Sequence, residues 1–417
     1  MEKRVMTDGK RRSLTVAAVL LGSAVTLTAC SSDAGGASGG SGTKAEAQAQ
    51  VDRQAAEEAS AARITITPKN GADNAGVNSD VKVQVQEGKL TKVTMTAVAT
   101  GDEVPGTISA DGSLWEPDGQ LERSTTYKIS AEAKDAKGLE AKEHSKLTTV
   151  SPDNSFIGNF TPEADTTVGV GMPVSVNFDK GITNKADVQR GVQVTSSSGQ
   201  KVVGHWFNDN RLDFRPEDYW QAGSTVTLKL DLDGVEGAPG VQGIQEKTVT
   251  FKVGRSQVST VDVETKEMTV VRDGQEVKKI PISAGSNENP TYNGQMVISE
   301  KFKETRMNGD SVGFKGEYDI KDVPHAMRLS RSGTFIHGNY WGKGIFGEAN
   351  TSHGCVGLAD VKGADDPETD GSWFYDNSLT GDVVIVKNSP DKTITPDNGL
   401  NGWNMPWNEW VAGSAIA

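Results

Sequence analysis

The chain has 417 residues, enough for two to four domains and a sizeable buried core. Its 43 basic and 56 acidic side chains give a net charge of −13, and its two cysteines lie 325 residues apart. Such a charge repels a phosphate backbone and argues against nucleic-acid binding, and so few cysteines exclude a disulfide scaffold or a Cys-rich zinc site.

Residues 1–29 hold five basic groups against two acidic ones, so the rest of the chain carries −16. The basic residues precede an apolar stretch, 14–29, which ends at Cys30. At 16 residues it is short of the ~20 needed to span a bilayer, and it reads as a secretory signal. Leu27-Thr28-Ala29-Cys30 resembles a bacterial lipobox. That resemblance implies lipidation of Cys30, export, and anchoring to the outer face of the cytoplasmic membrane, toward the cell wall. Arg11-Arg12 leaves general and twin-arginine export both open. Residues 31–44 are Gly/Ser-rich and 45–62 are an Ala/Gln/Glu run, so 30–62 read as a lipidated cysteine and a flexible linker with a reach of roughly 30 Å.

From Arg63 the pattern changes to short alternating strands bounded by Gly, Pro, Asn and Asp. Two stretches match at an offset of 99: Pro117 meets Pro216, Leu121 meets Trp220, and Tyr127, Ile129 and Ala131 meet Val226, Leu228 and Leu230. Val81, Val83 and Val85 pair with Val174, Val176 and Phe178 at an offset of 93. Repeats of this length predict two tandem β-sandwiches, 63–150 and 151–254. His144 and His205 within them are expected on the surface or packed. The loop 231–237 brings Asp233, Glu236 and the Gly237 carbonyl close in sequence, and such oxygens could serve a structural calcium ion. A solvated acidic turn is the other reading.

A third β-rich unit follows over 255–389, with strands expected at 258–264, 268–272 and 277–282 and a hairpin turn at Asp273-Gly274. It contains Ser332-Gly333-Thr334-Phe335-Ile336-His337-Gly338 and then Ser352-His353-Gly354-Cys355. A cysteine without a disulfide partner is either a buried hydrophobe or a working thiol, and a working thiol needs a base at neutral pH. His337 lies 18 residues before Cys355 and His353 two before it. Glycines at 338 and 354 would let backbone amides approach a reacting carbonyl and stabilise an oxyanion. This set points to a thiol acyltransferase or hydrolase. Gly342-Lys343-Gly344-Ile345-Phe346-Gly347 matches a dinucleotide fingerprint but lacks the βαβ setting, and reads instead as a lip of the site. Asp360 to Gly371 is an acidic, glycine-containing insertion with no readable role.

The spacing from His337 to Ser352-His353-Gly354-Cys355 resembles the signature of L,D-transpeptidases with a YkuD-type catalytic domain. Trp341, Trp373-Phe374-Tyr375 and the 403–410 run, Trp403-Asn404-Met405-Pro406-Trp407-Asn408-Glu409-Trp410, strengthen the likeness to an actinobacterial, anchored branch with two bacterial Ig-like domains. The resemblance implies a mainly β chain: two tandem sandwiches, a YkuD-type catalytic domain, and a short Trp-rich helical segment, 390–417, packed on that domain. It implies an enzyme of cell-wall biogenesis and cell shape, forming 3→3 peptidoglycan cross-links. Cys355 would attack a donor tetrapeptide at its diaminopimelate and expel D-Ala, and an acceptor stem would resolve the thioester. His337 would be the base, oriented by the Gly338 carbonyl, and His353 would shape the nucleophile turn. Gly354, the Cys355 amide and the Tyr318 hydroxyl would form the oxyanion hole. Tyr318, Ser332, Gly333, Trp341 and Gly357 would touch substrate. No cofactor is required, and carbapenem-type inhibitors are expected to acylate the thiol.

Two departures matter. Gly357 stands where the family commonly has Asn or Arg, and the segment from Tyr318 to His337 is one residue longer than usual, with His325 expected as a solvent-facing flap residue. An L,D-carboxypeptidase, in which water resolves the same acyl-enzyme, or an inert lipid-anchored wall-binding protein would share these residues.

Overall fold

The structure is a computed structural model that describes residues 48–50, 59–78 and 80–416, with the side chains of 311 and 312 excepted. Cys30 and most of the expected linker lie outside the described residues. Among these residues no helix is long and apolar enough to cross a membrane.

Alternation in the strands becomes burial. In Thr126–Lys134, Tyr127, Ile129, Ala131 and Ala133 point inward while their neighbours stay at least partly exposed. This strand lies in a five-stranded sheet ordered Ala72–Ala75, Glu140–Thr149, Thr126–Lys134, Lys89–Ala97, Glu103–Val104. A four-stranded sheet faces it and supplies Val83, Val85 and Trp115 to the shared core. The sandwich begins earlier than expected. Ala62 is buried in its core, and the Ala61 N–H donates to Asp135 at 2.9 Å, so residues 60–62 belong to the sandwich and not to a linker.

The second sandwich repeats the plan with two four-stranded sheets around Val174, Val176, Phe178, Trp220, Val226, Leu228 and Leu230. Every position paired in the sequence repeat from 81 to 131 and from 174 to 230, the two prolines apart, is buried. The 231–237 loop meets the first sandwich. Asn78 donates to Asp233 Oδ1 at 2.5 Å and to the Ile244 carbonyl at 3.0 Å. Glu236 accepts from the Gly240 N–H, and the Gly237 carbonyl accepts from the N–H groups of Thr183 and Asn184. Among the described residues no group of three or more His, Cys, Asp or Glu could hold a metal ion. Asp233 Oδ1, Glu236 Oε1 and the Gly237 carbonyl each accept from an amide, and through Asn78 the loop takes part in the contact between sandwiches.

The catalytic unit is a nine-stranded sheet, with β1 Gln257–Asp262, β2 Glu267–Arg272, β3 Gln275–Ser283, β4 Gly294–Val297, β5 Glu300–Asn308, β6 Asp319–Arg328, β7 Phe335–Asn339, β8 Val356–Ala359 and β9 Val383–Lys387. Their order is β4-β9-β1-β2-β3-β8-β7-β6-β5. Asp273 and Gly274 both have positive φ, as the tight β2–β3 hairpin requires. Helix α1, Asp370–Asp376, buries Phe374 in the main core of this unit. β7 and β8 run parallel, so their connection, 340–355, must cross over, and it returns Cys355 beside His337.

The C-terminal segment differs from its expected place. Its tryptophans go chiefly to the second sandwich. Trp410, on helix α2 (Trp407–Ala412), stacks on His205 at 4.8 Å and donates to the Val203 carbonyl. The Arg215 guanidinium lies 4.4 to 5.3 Å from the rings of Trp403, Trp407 and Trp410. The asparagines of the same segment go to the catalytic sheet: Asn404 exchanges bonds with the Gln295 backbone, and Asn401 accepts from the Val297 N–H. The segment therefore joins two units and does not pack on one.

Candidate active site

Cys355, His337, Tyr318, His353, Trp341 and Gly357 line a cleft of about 410 Å³. Each arrives for a local reason. Residue 337 is in mid-strand on β7, and strand alternation puts His337 and Asn339 on one face with Gly338 on the other. The His337 ring is buried, and its Nδ1 lies 2.8 Å from the Gly338 carbonyl oxygen. A carbonyl only accepts, so the proton sits on Nδ1 and Nε2 is the basic nitrogen. Burial pushes His337 below the ordinary imidazole value, against the opposing pull of the Gly338 carbonyl and of Asp360.

The half-buried Cys355 thiol rests 3.7 Å from the Gly333 carbonyl. Burial pushes it up to about 11, with a backbone bond from Phe335 pulling the other way. Cys355 therefore rests as a thiol at neutral pH, and a thiolate there requires a base. Gly354, at φ +106°, makes the sharp turn before it. Ser352 braces that turn: its hydroxyl donates to the Cys355 carbonyl at 2.6 Å and accepts from the Gly354 N–H at 3.2 Å. The sequence reading counted Ser352 within the motif and gave it no task. Its bond also engages one of the two amides expected in the oxyanion hole. Burial raises Tyr318 to about 12, so its hydroxyl stays neutral and able to donate.

His353 stands above the site, 5.1 Å from the Tyr318 ring and 5.2 Å from that of Phe314, with Nε2 2.8 Å from Glu317. Trp341 is 41% exposed and stacks on His337 at 5.9 Å. Ser332 lies apart from these groups. Its hydroxyl accepts from Asn398 and its N–H donates to the Asn398 carbonyl-type oxygen, while Gly333 meets the thiol itself. Asn339, unread in the sequence, also lines the cleft, and a Cβ added to Gly357 would lie 3.5 Å from its Nδ2. The side chain missing at 357 thus has a neighbour from β7 beside its place. Only the two-residue spacing from His337 could have revealed it.

His325 corrects an expectation. It is 2% exposed, with Nδ1 2.8 Å from Asp360 Oδ2. The longer segment turns inward there, at φ +48°.

The profile of the L,D-transpeptidase catalytic domain matches residues 256–386, and that of a bacterial Ig domain matches 72–236, running across both sandwiches. L,D-transpeptidase 2 of Mycobacterium tuberculosis is 30% identical over 358 residues, covering 85% of each chain. The chain belongs to the L,D-transpeptidase family. L,D-transpeptidase 5 of the same species is 29% identical, over 85% of this chain and 78% of that protein. A solved L,D-transpeptidase 3 of M. tuberculosis, bound to a faropenem-derived adduct, is similar with TM-score 0.45 at 27% identity, over 55% of this chain and 97% of that one. Cys355 and His337, with the cleft they line, fall inside the segment that matches the catalytic-domain profile.

Proposed function

We propose that this L,D-transpeptidase makes 3→3 cross-links through a thioester on Cys355. His337 Nε2 takes the thiol proton as sulfur attacks the carbonyl of the third stem residue. The tetrahedral oxyanion is held by the Cys355 N–H and the Tyr318 hydroxyl, with Gly354 contributing if Ser352 releases it. His337 then protonates the departing D-Ala amine, and the same ring later deprotonates the acceptor amine that cleaves the thioester. The observation that carries this reading is the tautomer: a buried imidazole whose Nδ1 is fixed on Gly338 presents Nε2 as base in the cleft that holds the only described cysteine.

Water in place of the acceptor would give the carboxypeptidase, and product analysis separates the two. Intact-mass measurement after incubation with a disaccharide-tetrapeptide should show an adduct absent from Cys355→Ala, with a 3→3 dimer among the products. Tripeptide alone would indicate hydrolysis, and no adduct on a folded, reduced protein would sink the mechanism. The same thiol is the expected site of carbapenem acylation. We also infer that Cys30 is lipidated, which metabolic labelling with a palmitate analogue would detect.

A further inference from the structure

The acidic insertion begins behind the active site. Strand alternation turns Gly338 away from the cleft, and there a Cβ added to it would meet Asp360 Oδ2 at 1.9 Å. A Cβ on Gly371, at the start of α1, would meet the same oxygen at 2.1 Å. The carboxylate therefore occupies a slot that two glycines leave open. Its side chain is 0% exposed, yet it is well bonded: His325 Nδ1 at 2.8 Å, the Thr369 hydroxyl at 3.0 Å and the Val361 N–H at 2.8 Å. Thr369 is also the N-cap of α1. The carboxylate so fixed lies against the residue whose carbonyl receives the His337 Nδ1 proton.

We propose that Asp360, held by His325 and Thr369, is a positioning residue that braces Gly338 and favours the protonated form of His337 during acyl transfer. This rests on His337 being the base. The site already has a backbone carbonyl as its third member, and a carbonyl dipole offers less to an imidazolium than a full negative charge. In a dry interior a nearby carboxylate stabilises the cation that forms when sulfur gives up its proton. The other ionisable groups around the ring are Cys355, Tyr318, Lys343 and the His353–Glu317 pair in and above the cleft, together with His325 on β6.

The test is a histidine titration by NMR on the full chain carrying Cys355→Ala, with and without Asp360→Asn. Asparagine matches aspartate in shape and can keep the bond to Thr369. The His337 ring should titrate about one unit lower in Asp360→Asn. In the chain with its cysteine intact, thioester formation at pH 7 should fall about tenfold, with little change in KM. His325→Gln still donates to the carboxylate and should leave the His337 titration in place or move it upward. An unchanged titration in Asp360→Asn overturns the proposal, as does an equal fall in both variants, which would mean that only packing was disturbed. Should Asp360→Asn fail to fold, a fall in His325→Gln alone would also count against it. Loss of thioester in His337→Ala tests the base reading separately.

Discussion

At the scale of single residues, the site sets its own pH window. The Cys355 thiol is held at about 11 in the fold against 9 for the free group. As pH rises past 9, the unfolded chain releases this proton first, so the stability it contributes is complete below 9 and is lost toward 11. His337 works at the other end. Its folded value lies below 6.5, so the unfolded chain binds the proton first as pH falls, and stability declines below 6.5. Chemical denaturation across pH should therefore show Cys355→Ala losing less stability than the parent between pH 9 and 11, with the acid limb unchanged. Equal losses in both would mean the thiol is not held up by burial. That Cys355 and His337 share a cleft was legible because their spacing is a motif. Ser352, Asn339 and Asp360 were not, because each acts through a neighbour that only the folded strands supply: a turn carbonyl, the space beside Gly357, the back of Gly338.

At the scale of elements, the crossover from β7 to β8 and the β5–β6 hairpin close on the site from two sides. The hairpin tip carries Phe314, Glu317 and Tyr318, and a polar contact from Glu317 to His353 ties it across the cleft. Both partners are partly exposed, so the tie is worth about 0.5–1 kcal/mol. Glu317→Ala should speed amide exchange over residues 309–318 by two- to fivefold, about what that energy allows, and leave the β1–β2 amides unchanged. Exchange that stays the same would assign closure to the aromatic contacts alone. The strands themselves followed from alternation and the Asp273-Gly274 turn. The inward course of His325 did not, since one extra residue moves a side chain to the opposite face and polarity alone suggested solvent.

At the scale of the whole molecule, the second sandwich and the catalytic sheet are fastened by several independent devices. Gly169 and Gly171 bond to the backbone of Thr380 and Gly381, and Tyr219 bonds to Gln295. Arg211, itself paired with buried Asp213, reaches the carbonyls of Asp397 and Gly399. Trp410 is 0% exposed, so Trp410→Ala should cost about 3–5 kcal/mol at this junction. Calorimetry should then resolve the sandwich and the catalytic unit as two transitions where the parent has one. A single transition with a small shift would show that the remaining contacts suffice. The tryptophans were readable as a short helical segment, but such a segment does not name its partner. Arg215 and His205, about 200 residues before Trp410, decide it.

That arrangement also orders events in time. Residues 397–413 are synthesised after both units they connect, and their contacts with the second sandwich span sequence separations of 186 to 232 residues. Closing loops of that length is slow, so each unit can reach its own fold before the junction forms. The intermediate would have its catalytic sheet formed and the Trp410-binding face of the second sandwich bare. Refolding followed by tryptophan fluorescence should accordingly contain a late phase that vanishes in Trp410→Ala, marking the moment when two finished parts become one body.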